Sequence, residues 1–273
     1  ALSRESVNFI ERNANTPLFI YLAYNAPHGP LQATEKYLNR FLEIESKNRR
    51  TYAAMVSAMD DGIGTIISKL KEKGIYDNTI VYFLSDNGGR LKGDSDNGEL
   101  RGKKGNLFEG GVRVPFVMQW PGQIKGGQTF DKPVSSLDIF ATSKAITSPE
   151  ITPKNKLHGV NLIPFLKGEK KHSPHSNLFW RNNFMQNKNE LRTEASAVRS
   201  EKFKFIKNKQ VDALYNLKKE ISEQTNLKDQ EKEMYDSLKN EYKRWSKTLM
   251  DPIFLGLLAN DQYNKLNPDR FKY

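Results

Sequence analysis

The stretch "NTIVYFLSDNGG" (residues 78–89) sets an apolar run directly before a carboxylate, an amide and two glycines. A short run of β-branched and aromatic residues predicts a buried strand. Asp86 and Asn87 would then follow the carboxyl end of that strand, where ligands bind in parallel sheets. Their oxygens suit a hard cation such as Ca²⁺ or Mg²⁺, but Asp-Asn-Gly is also good turn chemistry. The stretch alone leaves both interpretations open.

Two further apolar runs flank this strand in the sequence. Residues 17–24 of "TPLFIYLAYNAPHGP" (16–30) are apolar almost without interruption, which is typical of a strand covered on both faces. The other run, "RVPFVMQWPG" (113–122), ends in a Pro-Gly turn. Residues 50–74 repeat apolar side chains at helical spacing, with Gly74 as a stop. Strand, helix and strand in this order predict an α/β fold with a mainly parallel sheet sandwiched by helices.

The pattern changes after about residue 170. Three short apolar stretches predict antiparallel strands: residues 177–181, 195–208 and 212–217. The charged segment 228–250 predicts an amphipathic helix. These elements indicate a smaller α+β subdomain that contains an antiparallel sheet. We therefore expect a larger α/β domain over residues 1–172 and a C-terminal subdomain over residues 173–273.

A polar loop also follows the apolar run at 17–24. His28 lies in Pro-His-Gly-Pro, where the prolines fix the direction of the imidazole. The imidazole could act as a general acid or bind an anion, or it could be a loop histidine with a structural hydrogen bond. Because the carboxyl ends of neighbouring parallel strands form one rim, His28 and Asp86 could face the same cleft.

A third candidate is the basic loop in "LRGKKGNLFEGG" (100–111). Lys103 and Lys104 lie between glycines, where an ammonium group can reach a phosphate or sulfate oxygen as a point charge. The pair could also be no more than an exposed basic loop. Glu109 and the two glycines after it are interpreted as structural, making a tight entry to the next strand.

The segment "MDDG" (59–62) holds the only Asp-Asp pair in the chain. Adjacent carboxylates suggest a metal site. The pair lies inside the predicted helix, however, where neighbouring side chains point about 100° apart around the axis. We therefore interpret Asp60 and Asp61 as helix surface or as part of a local hydrogen bond.

The composition restricts the classes of function. The chain of 273 residues has no cysteine, which excludes disulfides, thiolate metal sites and a cysteine nucleophile from it. Its apolar runs are too short for a transmembrane helix, so we expect none. The net charge of +11 favours a polyanionic partner, or reflects a lysine-rich soluble surface. A nucleic-acid partner would rest on charge alone, and we expect none.

These blocks, in this order and spacing, resemble the sulfatase family of the alkaline-phosphatase superfamily, in its arylsulfatase and N-acetylhexosamine-6-sulfatase type. The resemblance runs over nearly the whole chain. It is carried by the histidine block (17–37), the helix and "SDNGG" block (52–89) and the lysine and Glu-Gly-Gly block (100–122). Three later segments resemble the family's small C-terminal subdomain: residues 158–169, 197–208 and 213–227.

The resemblance implies an alkaline-phosphatase-like fold that hydrolyses a sulfate ester, from a sulfated sugar or an aryl sulfate, to an alcohol and sulfate. In this family a formylglycine made from Cys or Ser attacks sulfur as its hydrate, and a divalent metal, usually Ca²⁺, binds sulfate oxygens. By position, Asp86 and Asn87 match two metal ligands. His28 matches the histidine that contacts sulfate and assists the leaving oxygen. Lys104 matches the sulfate-binding lysine, with Lys103 as the alternative register.

The first half of the family pattern has no counterpart here. The chain contains neither Cys-x-Pro-x-Arg nor Ser-x-Pro-x-Arg, and it lacks the N-terminal Asp-Asp metal pair of the family. We expect a C-terminal portion of a sulfatase whose nucleophile comes from a missing N-terminal segment, so that this chain alone is inactive. Family analogy predicts a periplasmic or extracellular location, and the Lys- and Asn-rich composition hints at a bacterial source. The oligomeric state stays open.

Two other functions also stay open from the sequence. One is a different phosphoester hydrolase of the superfamily, and the other is a catalytically inactive sulfatase-like domain that binds acidic glycans. The phosphoester hydrolases usually place more His and Asp on two metals. The single "SDNGG" loop with a Glu-Gly-Gly block favours a one-metal sulfatase.

Overall fold

The computed structural model describes residues 1–90, 95–148, 150, 157–182 and 195–250. The helices in these ranges are α1 (Leu2–Asn13), α2 (Glu35–Leu38), α3 (Lys47–Glu72), α4 (Glu109–Val112), α5 (Leu137–Thr147), α6 (Ile163–Leu166) and α7 (Lys232–Ser246). The strands are β1 (Val81–Leu84), β2 (Phe116–Gln119), β3 (Leu178–Asn182), β4 (Ala195–Arg199), β5 (Phe203–Lys207) and β6 (Asp212–Asn216). Short 3₁₀ helices cover Asn39–Phe41 and Tyr76–Asn78.

The described residues form two compact units, each assembled from separate segments. The first unit takes its residues from three segments: Ala1–Asn97, Val114–Phe130 and Ile163–Lys170. The second unit takes its residues from three others: Gly98–Arg113, Asp131–Leu162 and Lys171–Tyr273. The Glu-Gly-Gly block therefore belongs to the same unit as strands β3 to β6. The predicted boundary between residues 172 and 173 stays a prediction.

The helix predicted over residues 50–74 is confirmed as α3. It begins at Lys47 and ends at Glu72, slightly earlier at both ends than the apolar pattern indicated. Ser46 caps its N-terminus, since the Ser46 side chain accepts a hydrogen bond from Arg49 N at 3.4 Å.

Helix α1 packs along α3. Ile10 and Ala54 are fully buried, one on each helix. At the edge of this contact the Glu11 carboxylate accepts hydrogen bonds from Lys69 Nζ, at 2.7 Å, and from Lys73 Nζ. The two ammonium groups, Lys69 first, lower the pKa of Glu11 from 4.5 to about 2. An apolar contact and two ion pairs therefore join the two helices, although Lys73 lies just after the last residue of α3.

Strands β1 and β2 form an antiparallel pair, a direction that the prediction of a mainly parallel sheet did not specify for these two strands. Val81 lies opposite Gln119, and Leu84 lies opposite Phe116. A parallel neighbour requires a crossover that carries the chain back to the edge where the first strand began. The described part of the connection, residues 85–115, holds only the short helix α4. The chain therefore re-enters the sheet at the edge that it left.

Residues 17–24 do not form a strand in the described structure, contrary to the prediction. Their side chains alternate between half-buried and exposed positions, and Phe19 and Tyr21 are 81% and 84% exposed. A strand needs ladder hydrogen bonds to a neighbouring backbone, and no such ladder joins this segment to another described segment. Hydrophobicity reports a preference for burial, but it does not report whether a partner is present.

The predicted C-terminal antiparallel sheet is confirmed, with β3, β4, β5 and β6 side by side in chain order. Successive strand residues point to opposite faces, and both faces are covered. On one face, Ile206 and Tyr215 pack in a cluster with Phe108, which lies immediately before α4. On the other face, Phe205 meets Tyr235 of α7 edge to face, with the ring centres 5.5 Å apart.

The amphipathic helix predicted over residues 228–250 is confirmed as α7. Its buried residues are Tyr235, Leu238 and Tyr242, which recur at helical spacing and face the sheet. The opposite face is charged. Among the described residues, no helix is both long and apolar enough to cross a membrane.

Replacing Glu11 by Gln is expected to lower the melting temperature near neutral pH. The pKa of Glu11 is depressed in the folded chain, so its ion pairs stabilise the fold above pH 4.5 and are lost as the pH falls toward about 2. The difference in melting temperature between wild type and Glu11→Gln should therefore shrink across that window. Thermal unfolding followed by circular dichroism measures it.

Glu43→Gln is the matched control for this prediction, because Glu43 is an exposed carboxylate in a turn. It should leave the pH dependence of the melting temperature as in wild type. A Glu11→Gln difference that stays constant from neutral pH to about pH 2 would contradict the stabilising role of the ion pairs.

Candidate active site

The loop after β1 carries the two predicted metal ligands. Asp86 is exposed, and none of the described residues donates a hydrogen bond to its carboxylate. Asn87 is half-buried, and its Nδ2 donates to Gly88 O at 3.1 Å, so that its Oδ1 stays available as an acceptor. Ser85 Oγ donates to Asn87 O at 2.9 Å. The turn is thus held by its own polar groups, while two side-chain oxygens are left for a ligand.

Asn97 fastens the end of this loop. Its Oδ1 accepts a hydrogen bond from Gly89 N at 2.9 Å, and its Nδ2 donates to Gly89 O at 3.4 Å. One side-chain amide therefore pairs with both backbone groups of a single residue, as a neighbouring strand would. Sequence reasoning missed this residue. Its only signal was the dipeptide Asn97-Gly98, which predicts a turn but does not identify a partner.

Asp86 and Asn87 fit a hard divalent cation by donor type, because both offer oxygen atoms. Ca²⁺ takes about six to eight oxygens, so two residues provide only part of a coordination sphere. Within the described ranges, no group of three or more His, Cys, Asp and Glu side chains could hold a metal ion. The loop is therefore suited to share a cation with other ligands.

His28 is exposed in the loop after residues 17–24, between Pro27 and Pro30, whose preceding peptide bonds are both cis. Its backbone N donates to Asn25 O at 2.8 Å. Its Nδ1 lies 2.8 Å from Gly29 O. A carbonyl oxygen can only accept, so Nδ1 carries the proton and Nε2 is left for a ligand. Nε2 accepts a proton when the ring is neutral and donates one when the ring is charged.

Lys103 and Lys104 lie in a tight turn, which we call the lysine turn (residues 103–106). Asn106 N donates to Lys103 O at 2.9 Å, and Asn106 Oδ1 accepts from Lys103 N at 3.1 Å. Gly105 has a φ of +89°, the left-handed value that the third position of a type II turn requires. Both lysine side chains are exposed, and neither has an ion-pair partner in the part of the chain that the structure describes.

Glu109 belongs to a buried ionic cluster with Lys204 and Glu223. Glu109 Oε1 accepts from Lys204 Nζ at 2.8 Å, and Lys204 on β5 is fully buried. Glu223 Oε1 lies 3.0 Å from the same Nζ, an ion-pair distance without hydrogen-bond alignment, and Glu223 Oε2 accepts from Glu109 N at 2.7 Å. Burial raises the pKa of Glu223, although Lys204 opposes that rise. Glu109 is therefore structural, as the sequence indicated.

The Asp-Asp pair on α3 is helix surface, as expected. Asp61 accepts two hydrogen bonds from the Arg40 guanidinium, at 3.0 Å from Nη1 and 2.8 Å from Nη2. These hydrogen bonds lower the pKa of Asp61. Asp61 is thus explained by a surface ion pair, and Asp60 is an exposed residue of the same helix.

The structure places the five candidate residues in two groups. Asp86 and Asn87 share one loop of the first unit, which also contains His28. Lys103 and Lys104 share the lysine turn of the second unit. Their assignment to one common site stays a prediction.

Two family models match the chain. The model described as Sulfatase matches residues 1–147, which is more than half of the chain and includes all five candidate residues. The chain belongs to the sulfatase family. The model described as N-sulphoglucosamine sulphohydrolase, C-terminal, matches residues 102–248 of this sulfatase chain.

Curated relatives agree with this assignment. The sulfatase chain is 36% identical over 184 residues to the uncharacterized sulfatase YdeN of Escherichia coli (strain K12), covering 66% of this chain and 32% of the relative. It is 36% identical over 169 residues to N-acetylgalactosamine-6-sulfatase of Homo sapiens, covering 60% of this chain and 31% of the relative. The aligned part thus spans about a third of the length of these relatives.

Solved structures extend the likeness to the fold. The crystal structure of Ps i-CgsB in complex with k-i-k-neocarrahexaose is 34% identical, with a TM-score of 0.86, over 97% of this sulfatase chain and 57% of that chain. The α/β fold class with a C-terminal antiparallel sheet is therefore confirmed. The correction concerns the segment 17–24, which was predicted to be a strand.

Replacing Lys204 by Met is expected to destabilise the chain strongly, because Glu223 then stays buried without its ion-pair partner and Glu109 keeps only the longer contact with Arg113, at 3.7 Å. The free energy of unfolding should fall by about 3–5 kcal/mol. Urea denaturation followed by tryptophan fluorescence measures it. Lys207→Met, at the exposed end of the same strand, is the matched control and should change stability by only about 0.5 kcal/mol. Equal losses in the two variants would contradict the ionic role of Lys204.

Proposed function

We propose that this chain supplies a metal loop, a histidine and a lysine to an enzyme that hydrolyses sulfate esters of carbohydrates. The observation that carries the proposal is the sulfatase match over residues 1–147, which contains every candidate residue. In the overall reaction the bond between sulfur and the ester oxygen breaks. The alcohol keeps that oxygen, and water supplies the new sulfate oxygen and the protons.

Asp86 and Asn87 would bind a divalent metal, for which we propose Ca²⁺. Support comes from their donor chemistry, since both offer oxygens that no described residue engages. When bound, the ion supplies positive charge to the sulfate oxygens. The further oxygens that Ca²⁺ needs would come from other parts of the complete protein.

His28 would deliver a proton to the departing ester oxygen. An alkoxide is a poor leaving group, and protonation by a positioned side chain accelerates its departure. Support comes from the contact between Nδ1 and Gly29 O, which reserves Nε2 for this transfer. The exposed position of the ring leaves it accessible to a substrate.

Lys104 would bind the sulfate oxygens, with Lys103 as the alternative. An ammonium group that faces these oxygens stabilises the negative charge of the sulfate group as the ester bond breaks. Support comes from the exposure of both side chains and from the absence of a competing carboxylate partner among the described residues.

The nucleophile is not among the residues of this chain, which contains no cysteine and neither formylglycine motif. We propose that a formylglycine is supplied by another part of the complete protein. The expected consequence is that this chain by itself releases no sulfate.

We propose a sulfated carbohydrate as the natural substrate in preference to an aryl sulfate. The likeness to N-acetylgalactosamine-6-sulfatase and to Ps i-CgsB, whose structure contains k-i-k-neocarrahexaose, supports this choice. The net charge of +11 also suits an acidic polymer. Because such polymers lie outside the cytoplasm, we propose a periplasmic or extracellular location in a bacterium.

Alanine at Asp86 or at His28 is expected to reduce sulfate release by the complete protein by about 100-fold or more, since each change removes a group that acts on the reacting ester. Initial rates of sulfate release from a sulfated oligosaccharide measure the effect. Asp131→Ala and His158→Ala are the matched controls, because both side chains are exposed and neither is a candidate residue. Both controls should keep the wild-type rate.

Unchanged sulfate release in both site variants would contradict the assignment. Faster hydrolysis of a phosphodiester than of the matching sulfate ester would favour another hydrolase of the superfamily. Glycan binding without hydrolysis of either ester would indicate a binding domain.

A further inference from the structure

We propose that the buried ionic cluster of Glu109, Lys204 and Glu223 is a positioning device for the lysine turn, and thereby for Lys104. The proposal rests on the proposed function, in which Lys104 binds sulfate. It assigns a role in sulfate recognition to residues of the C-terminal sheet that touch no substrate. The connection runs through three links, all within the second unit.

The first link is a close backbone contact between α4 and the lysine turn. Gly110 N donates to Arg101 O at 2.7 Å. A Cβ atom at Gly110 would lie 2.6 Å from Arg101 O, and one at Gly111 would lie 2.2 Å from Asn106 O and 2.7 Å from Lys103 O. Real Cβ atoms essentially never approach another atom this closely, so glycine is required for the backbone contact. The backbone of the lysine turn therefore packs directly against the backbone of α4.

The second link holds α4 to the sheet. Glu109, the residue before these glycines, is bound at two atoms: its carboxylate by Lys204 and its backbone N by Glu223. The partners are 95 and 114 residues away in the sequence. All three side chains are buried. Away from water, charge-assisted hydrogen bonds between them are strong and are costly to break. The start of α4 is therefore fixed to the sheet.

The third link lies on the other side of the turn. Arg101 Nη1 donates to Glu223 O at 2.6 Å and to Tyr215 Oη at 3.3 Å, and the guanidinium lies 4.2 Å from the Phe108 ring centre. Glu223 has a φ of +52°, an uncommon value for a residue with a side chain. Its carbonyl accepts from Arg101, two residues before the lysine turn, and its carboxylate accepts from Glu109 N, three residues after the turn. Glu223 thus clamps both ends of the segment that contains Lys104.

The clamp matters because Lys104 itself is exposed and has a flexible side chain. A fixed backbone limits the region that its ammonium group can occupy, so less conformational freedom is lost when sulfate binds. A loose turn would leave the charge in place but would spread it over many positions.

A purely structural cluster would also affect stability, so stability does not test the proposal. The test is a double-mutant cycle on the complete protein, with inorganic sulfate as the probe and its Kd measured by isothermal titration calorimetry. Glu223→Gln keeps the shape of the side chain and removes its charge. In the Lys104 background it is expected to weaken sulfate binding by about 10-fold. In the Lys104→Ala background it should change the Kd by less than about threefold, because no ammonium group is left to position.

Arg101→Met is the second variant, and it decides the question if Glu223→Gln does not fold. It keeps an apolar contact with the Phe108 ring while removing the bond to Glu223 O, and the same non-additive result is expected. Glu201→Gln is the matched control, since Glu201 forms an exposed ion pair with Lys218 in the same unit. It should leave the sulfate Kd unchanged in both backgrounds.

Equal weakening in both backgrounds overturns the proposal, as does no weakening in the Lys104 background. A Lys104→Ala substitution that leaves the sulfate Kd unchanged overturns it as well, while turnover in the Asp86 and His28 variants decides the hydrolase assignment separately. The expected non-additive effect on the sulfate Kd could also be found in a protein that releases no sulfate from esters. That result would support the positioning role and overturn the proposed function.

Discussion

One ammonium group, that of Lys204, organises the second unit, because it is buried between the carboxylates of Glu109 and Glu223. Removing a charge from water is costly, so such a group persists in an interior only when opposite charges and hydrogen bonds surround it. The requirement brings the segment Gly98–Arg113 onto one face of the C-terminal sheet, while α7 covers the other. Burial of apolar side chains on both faces of the sheet stabilises this arrangement.

The segment that pairs with Lys204 also marks a detour in the path of the chain. After Asn97 the chain leaves the first unit, forms the lysine turn and α4 in the second, and returns at Val114 to enter β2. Because this excursion brings the chain back at the edge where β1 ends, the two strands run antiparallel. The metal loop with Asp86 and the lysine turn with Lys104 follow each other in the sequence, but they belong to different units.

The candidate site residues have few partners within the protein, whereas the residues that hold their loops in place have several. Asp86, Lys103 and Lys104 are exposed and have no ion-pair partner among the described residues. The residues that hold their loops make several contacts each: Asn97 binds both backbone groups of Gly89, and Glu223 contacts Arg101, Lys204 and Glu109. Side chains that bind a ligand must keep hydrogen-bonding atoms available for it, whereas the side chains that position them are held by contacts within the protein.

The sequence by itself determined the elements whose signal is local. The helical pattern of α3 and α7 and the short apolar stretches of β3 to β6 were visible in short windows, as were the motifs around His28, Asp86 and Lys104. Only the tertiary structure decided the direction of the β1–β2 pairing, the one-sided exposure of Phe19 and Tyr21, and the partners of Glu109 and Gly89. A periodic pattern states which side of an element prefers burial. It does not state which distant residue, 95 or 114 positions away in the case of Glu109, will occupy that side, because that depends on how the whole chain closes.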